Sequence, residues 1–197
     1  MPTPRLQDKV AIITGGASGF GAGIVRKFVS EGCRVLIWDI NPTLSSEAKS
    51  WEASGKISLF EGDVSKPSDW TAALQQCIQT FGTLDILVNN AGVVHVARPS
   101  HEVDEDEVDR MWRVNVKPLY YSASVMVPYW RSKDRGGVVV NLSSISAVRP
   151  RPGVVWYAAS KGGVSAVSMI YAHHFIERMV LVGQGKKLMR NNRLRAV

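Results

Sequence analysis

A tyrosine and a lysine stand one helical turn apart in the stretch YAASK, Tyr157 to Lys161. Residues four apart on a helix share a face, and this pair is suited to moving a proton. A phenol with its ordinary pKa of about 10 exchanges protons poorly near neutrality. A cation beside it favours the phenolate by roughly 1–3 pKa units. Ser144, thirteen residues before the tyrosine, offers a hydroxyl able to hold an oxygen whose charge changes as the proton moves. Asn115 falls in the series Val108, Met111, Asn115, Leu119, whose helical spacing puts an amide on an otherwise apolar inward face. It reads either as a hydrogen-bonded core asparagine or as a group that holds a water. Pro118 withholds the N–H that the Val114 carbonyl would take, so a distorted helix is expected beside Asn115.

Proton transfer at a carbon-bound oxygen needs a partner that carries electrons, and a glycine-rich turn near the start of the chain fits one. TGGASGFG, Thr14 to Gly21, directly follows an apolar run and opens a helical segment. Glycines there let the backbone approach a ligand, and a helix N-terminus presents unpaired N–H groups to a pyrophosphate. It is not a Walker A loop, because Ala22 stands where lysine is needed, and not GxGxxG, because Ile24 takes the third glycine position. A tight turn with no ligand is the alternative. Asp39 ends the next apolar run, 18 residues past Gly21, where an acidic residue accepts hydrogen bonds from an adenosine ribose and repels a 2′-phosphate. The sequence DINP is also good turn chemistry. The first reading favours NAD over NADP.

The elements that must position these residues alternate between short apolar runs and segments of helical period, the pattern of an α/β fold with a parallel sheet. Strands are expected at 9–14, 33–39, 56–63, 84–90 and 136–144, and helices from the glycine turn to about Val29 and from about Ser68 to Thr80. Further helices are expected from near Glu102 and from Pro152 onward. There is no internal repeat and no linker. After about Val167 the period fades and the chain turns basic, with RMVLVG (178–183) the one segment there that could form a short strand.

Taken together, these stretches resemble the short-chain dehydrogenase/reductase family over residues 6–166. The turn TGGASGFG resembles its TGxxxGxG signature, Asp63 and Val64 its adenine-contacting pair, and NNAG (89–92) its cofactor-side motif. Asn115, Ser144, Tyr157 and Lys161 resemble its catalytic tetrad. The resemblance implies a Rossmann-like doubly wound parallel sheet of strand order 3-2-1-4-5. It implies a hydride passed between NAD or NADP and a carbonyl or secondary alcohol, in the manner of 3-oxoacyl reductases or of alcohol and sugar dehydrogenases. Cofactor contacts are implied at Thr14, Gly15, Ser18, Gly19, Phe20, Gly21, Asp39, Asp63, Val64, Asn90, Ala91 and Gly92, with Tyr157 and Lys161, the lysine on the nicotinamide ribose. A water beside Asn115 would relay protons to Lys161. Homo-oligomers through the helices around 102–130 and 152–175 are implied as well.

Family chains continue for several tens of residues past this point, with a sixth strand, a proline-glycine motif, a substrate-binding segment and a seventh strand. None is recognisable here, so the expected layout is a cofactor-binding domain over 1–167, truncated before the sixth and seventh strands, and an atypical basic tail over 168–197. The fifth strand would then be an open sheet edge. The competing expectation is an inactive fragment that binds full-length relatives.

Composition limits the other classes. At 197 residues, with 45% hydrophobic and 21% charged side chains, the chain can bury one good core. The formal net charge of +7 belongs largely to the tail: the first 168 residues hold 18 of the 24 basic and 16 of the 17 acidic side chains. That is not the basic face of a nucleic-acid binder. No apolar run is long enough for a membrane span, and MPTPRLQDKV lacks a signal-peptide core, so a cytoplasmic protein is expected. Cys33 and Cys77 have no metal-ligand spacing, adjacent His173 and His174 point apart on a helix, and HEVDEDEVD (101–109) reads as a helix start. No metal is expected. Ser144 lacks a paired base for acyl chemistry, and Trp156 reads as a pocket lining or as packing.

Overall fold

Val10 to Ile13 are wholly shielded from solvent and Thr14 nearly so, as happens when a strand is covered on both faces. In the computed structural model, which describes residues 4–43, 46–174, 178–183 and 186–188, they form β1 (Val10–Thr14). The chain divides into two compact units, Met1–Ala91 and Gly92–Val197.

In the first unit β1 is followed by α1 (Gly19–Ser30), β2 (Arg34–Asp39), α2 (Ser46–Ala53), β3 (Ile57–Glu61), α3 (Pro67–Phe81) and β4 (Ile86–Asn89). The strands lie in the order β3-β2-β1-β4 and all pair parallel, Val10 beside Arg34, Val35 beside Ile57 and Ala11 beside Ile86. Successive parallel strands need a crossover, which the helices supply. α3 buries Trp70, Ala73, Cys77 and Phe81, a stripe at helical spacing that seats it on the sheet. Pro67 starts it, and Gly82, left-handed at φ 80°, stops it. Trp70 meets Trp38 of β2 edge to face at 4.6 Å. Cys33 and Cys77 are free and buried, and burial pushes both thiols up to about 12.

The second unit contains a short 3₁₀ turn (Ser100–Glu102), α4 (Glu105–Met111), a π-helical turn (Trp112–Val116), α5 (Lys117–Ser132), β5 (Val138–Leu142) and α6 (Val155–His174). Two further strands follow, β6 (Arg178–Gly183) and β7 (Lys186–Leu188). The acidic segment expected to open one long helix starts it at Glu105, with Asp104 as N-cap. The distortion expected from Pro118 is the π turn: the ladder skips a residue, and the Lys117 N–H bonds the Trp112 carbonyl. α5 buries Leu119, Ser122, Met126 and Trp130. Trp130 lies against Gly137 at the entry to β5, so closely that a β-carbon there would fall within the indole ring. β5 turns Val139 and Asn141 inward, and Asn141 donates to Ser168 of α6 at 2.8 Å.

Five strands and the expected helices stand where the sequence placed them, within a few residues; α2 had no counterpart in that reading. The expectation of a sheet that stops at the fifth strand is amended. β6, the RMVLVG segment, pairs parallel with the whole of β5, Val138 beside Arg178 through Leu142 beside Val182, and β7 pairs antiparallel with β6. The physical reason is the open edge itself: its N–H and C=O groups demand a partner. The remainder of the expected tail, residues 175–177, 184–185 and 189–197, lies outside the described residues.

Gly137→Ala is expected to destabilise the fold by about 1–3 kcal/mol, because the added methyl overpacks the Trp130 contact. Urea denaturation of the two proteins measures it; an unchanged midpoint would show that the indole is not held there.

Candidate active site

The first group of expected residues gathers at the carboxyl ends of β1, β2 and β4 in the first unit. Thr14 closes β1, and its hydroxyl joins three main-chain groups: it donates to the Val88 carbonyl at 3.3 Å and accepts the N–H groups of Asn90 and Ala91, each at 3.0 Å. Asn90 returns the contact, its Nδ2 donating to the carbonyls of Thr14 at 2.8 Å and Gly15 at 3.0 Å. These bonds lock the glycine turn to the end of β4. Gly15, left-handed at φ 62°, also gives its N–H to the Trp38 carbonyl at 2.7 Å. Gly21 is required by space, since a β-carbon there would fall on the Gly15 carbonyl oxygen.

The opening of α1 fits a phosphate. Ser18 is its N-cap, yet its hydroxyl makes no cap bond, and the first turn carries no acidic residue. Among the described residues the first-turn N–H groups are left without an intrahelical or side-chain partner, the arrangement that receives an anion. Gly19, at φ 52°, has open space around its missing side chain. Phe20 is 72% exposed, so its main-chain N–H is what it brings to the turn.

Asp39 carries two bonds of its own: Oδ2 accepts the Ala17 N–H at 3.0 Å and Oδ1 the Asn41 N–H at 3.2 Å. The two readings of this residue are thus compatible. The carboxylate holds both turns, and each oxygen keeps a further lone pair. Asp63 is similarly occupied, accepting the Ser65 N–H at 2.8 Å while its own N–H goes to Asp69 at 2.8 Å. Val64 is buried, and its carbonyl takes the Trp70 indole N–H at 2.9 Å.

The second group lies in the second unit. Asn115 sits in the π turn, 5% exposed. Its Oδ1 accepts the Val93 N–H at 2.8 Å, and its Nδ2 donates to the Val93 carbonyl and to Ser160 Oγ, both at 2.9 Å. Ser160 passes the connection to the Tyr157 carbonyl at 2.8 Å. Both amide hydrogens are used, so Asn115 is a satisfied core asparagine with one Oδ1 lone pair to spare. Ser144 is the N-cap of a 3₁₀ turn (Ile145–Ala147) and accepts the Ser146 N–H at 3.1 Å, which leaves its O–H to be donated. Tyr157 is half-buried in the first turn of α6, and its hydroxyl has no hydrogen bond among the described residues.

Lys161 is buried, with its Nζ donating to the Leu142 carbonyl at 2.7 Å. No carboxylate pairs with it among the described residues, and burial pulls it down from 10.5 to about 8. Sequence reasoning missed three contributors. They are Ser160, which ties Asn115 to Tyr157, and the pair Ser143 and Ser165, whose hydroxyls meet at 2.7 Å over the Lys161 carbonyl. Serines are ordinary in a helix, and nothing in the spacing of Ser160 and Ser165 marks them. Gly92 is exposed at the start of this unit.

The sequence pattern of the family described as short chain dehydrogenase matches residues 9–184, which takes in β6. The chain belongs to the short-chain dehydrogenase family. Among curated members, 4-formylbenzenesulfonate dehydrogenase of Comamonas testosteroni is 42% identical over 162 residues, 81% of this chain and 64% of that protein. The 3-oxoacyl-[acyl-carrier-protein] reductase of Thermotoga maritima is 34% identical over 90% of this chain and 72% of its own. The chain thus spans about two thirds of the length of the curated relatives it matches. A crystal structure of 3-ketoacyl-(acyl-carrier-protein) reductase from Brucella melitensis complexed with NADH superposes with a TM-score of 0.75. It is 36% identical, over 85% of this chain and 70% of that one. That likeness carries the expected short-chain dehydrogenase fold, a parallel sheet of order 3-2-1-4-5 flanked by helices. Among the described residues no helix is long and apolar enough to cross a membrane.

The buried lysine makes a signed prediction. Between its folded value of about 8 and its ordinary 10.5, the unfolded chain binds a proton that the folded chain has released, so stability rises with pH across that window. Below it the full desolvation cost is present. Measured by urea denaturation, wild-type stability minus that of Lys161→Met should grow by up to about 3 kcal/mol between the two ends. A flat difference would mean that Lys161 is not desolvated.

Proposed function

We propose that this chain is the core of an NAD(P)-dependent oxidoreductase that interconverts a carbonyl and a secondary alcohol. The observation that carries the reading is Tyr157 and buried Lys161 one turn apart on α6, the tyrosine hydroxyl without a protein hydrogen bond and the lysine without a carboxylate among the described residues. Tyr157 gives its phenolic proton to a substrate carbonyl oxygen, or takes one from an alcohol. Ser144, its lone pair held by the Ser146 N–H, donates its hydroxyl to that same oxygen and steadies the charge that develops on it. Lys161 keeps a proton at Nζ on the neutral side of its titration, restrained by the Leu142 carbonyl. Asn115 holds the Val93 loop and, through Ser160, the start of α6.

The turn from Gly15 to Gly21 would hold the pyrophosphate of a dinucleotide with Ser18 and the first amides of α1, and Asn90, Ala91 and Gly92 would border its nicotinamide half. Asp63 and Val64 would meet the adenine. Hydride transfer is the chemistry such a cofactor supplies. Asp39 favours NAD, because a fixed carboxylate accepts from ribose hydroxyls and repels a 2′-phosphate. The family, and the NADH complexed with the Brucella reductase, support a nicotinamide cofactor. Association of copies through the helices around 102–130 has support in the exposure of Trp112 and Tyr120. The other expected helix, 152–175, corresponds to α6 (Val155–His174), and residue 175 lies outside the described residues.

Tyr157→Phe is expected to lower turnover by a factor of roughly 10²–10⁴ and to leave NADH affinity within about twofold. Steady-state kinetics together with calorimetry decides; wild-type turnover in the variant would refute the mechanism. Calorimetry should also give tighter binding of NADH than NADPH, with the gap narrowed in Asp39→Asn. Equal affinities would remove the preference for NAD.

A further inference from the structure

Leu142, Ser143 and Ser144 follow one another at the end of β5, and the first two both hold Lys161. The Leu142 carbonyl accepts from its Nζ at 2.7 Å, and the Ser143 hydroxyl lies 3.0 Å from its main-chain carbonyl oxygen. Ser165 of α6 stands 3.2 Å from that same carbonyl oxygen, with its Oγ 2.7 Å from Ser143 Oγ. Two hydroxyl oxygens this close have a proton between them, and each serine has only one to give. One serine therefore donates to the other, which donates to the carbonyl. In either direction the end of β5 is linked to the Lys161 peptide.

Side chains two apart on a strand point to the same side, and here that side faces α6. Asn141 donates to Ser168 at 2.8 Å, and Ser168 passes the connection to the Val164 carbonyl at 2.6 Å. Ser143, two residues on, meets Ser165, one turn back along the helix. Two ties at different heights set how far α6 can slide along β5. The Ser143 tie is the one at the level of Lys161, and it adjoins Ser144, whose O–H is left to be donated.

We propose that Ser143 is a positioning residue of the proton-transfer site. Its hydroxyl sets the height of α6 on the end of β5, so that Nζ of Lys161 meets the Leu142 carbonyl in register with Ser144. Ser143 acts through the lysine. Around that lysine head, Tyr157 one turn earlier on α6 is titratable, Asn115 of the π turn is neutral, and the end of β5 brings a carbonyl and serine hydroxyls. Burial pulls the ammonium down from 10.5 to about 8. A head released from the Leu142 carbonyl meets water, regains hydration and climbs back towards its ordinary value. The role in catalysis rests on the oxidoreductase reading above, whereas the placement of the lysine does not.

The full chain, labelled with ¹³C at lysine Cε, is titrated with base and followed by NMR, the Lys161 resonance being identified by its loss in Lys161→Met. The wild-type resonance should titrate near 8, and in Ser143→Ala its midpoint should rise by roughly 1. Ser143→Thr, which keeps the hydroxyl, should return most of the way. Ser168→Ala cuts the neighbouring tie between α6 and β5 and should leave the Lys161 midpoint where it was. In calorimetry NADH should bind about 3–10-fold more weakly to Ser143→Ala, with the affinity recovered in Ser143→Thr. A midpoint unmoved in Ser143→Ala, moved equally in Ser168→Ala, or left displaced in Ser143→Thr overturns the inference, as does an NADH affinity unaltered in Ser143→Ala. If the wild type binds no NADH, the oxidoreductase reading fails, while the midpoints still judge Ser143 by themselves.

Discussion

The side-chain amide of Asn115 does for Val93 what a neighbouring strand would otherwise do. It accepts the N–H and donates to the C=O of one peptide, at 2.8 and 2.9 Å, in a place where water is largely excluded. Buried main-chain groups must be paired, and just past the end of a strand the sheet no longer pairs them. The first unit solves the same problem with Thr14 and Asn90, whose side chains make five bonds to the backbone around one another. Asp39 and Asp63 do so for the turns that follow β2 and β3. The polar residues that gather at strand ends are there first because the backbone needs them. Chemistry is assigned to whatever hydrogen-bonding capacity remains.

That remaining capacity sorts the four residues proposed for catalysis. Asn115 has one lone pair left. Ser144 has its O–H, Lys161 has two of three donors, and the Tyr157 hydroxyl is wholly uncommitted among the described residues. A group that must gain and lose a proton is best left without a competing partner, while its neighbours are best held still. Lys161 is the costly member, since a buried cation with only a carbonyl for company is strongly desolvated. The serine hydroxyls around its own carbonyl, Ser143 and Ser165, fix the helix at that level and so confine the lysine head to the Leu142 end of β5.

How much of this was legible follows from what each signal measures. Buried parallel strands are runs of apolar side chains, and the five that were expected were found. The π turn could be foreseen because Pro118 deletes a specific hydrogen bond. α2 could not, because SEAKSWEA has no apolar stripe and buries only Ala48 among its described side chains. β6 was undervalued because a six-residue run carries little weight by itself; its case rests on the β5 edge, a fact about the sheet and not about RMVLVG. The residue types of the site were legible from spacing. Ser160 was not, since it works through the main-chain carbonyl of Tyr157, which only the fold brings to it.

The two units reach precision by opposite means. In the first, the decisive feature is missing side chains: Gly21 brings α1 against the Gly15 carbonyl, and the uncapped amides of α1 stay open because Ser18 does not fold back on them. Asp39 shows how a charge can still be placed there. Two main-chain N–H groups, one from the glycine turn and one from Asn41, grip one oxygen each, so the carboxylate plane is set by the same backbone that shapes the glycine turn. A sugar hydroxyl that meets it finds an acceptor already oriented and loses little entropy in doing so. A 2′-phosphate would meet a negative charge that cannot swing away. In the second unit the side chains themselves are the instrument, and a helix held by Asn115, Asn141 and Ser143 can keep a lysine head buried against the Leu142 carbonyl.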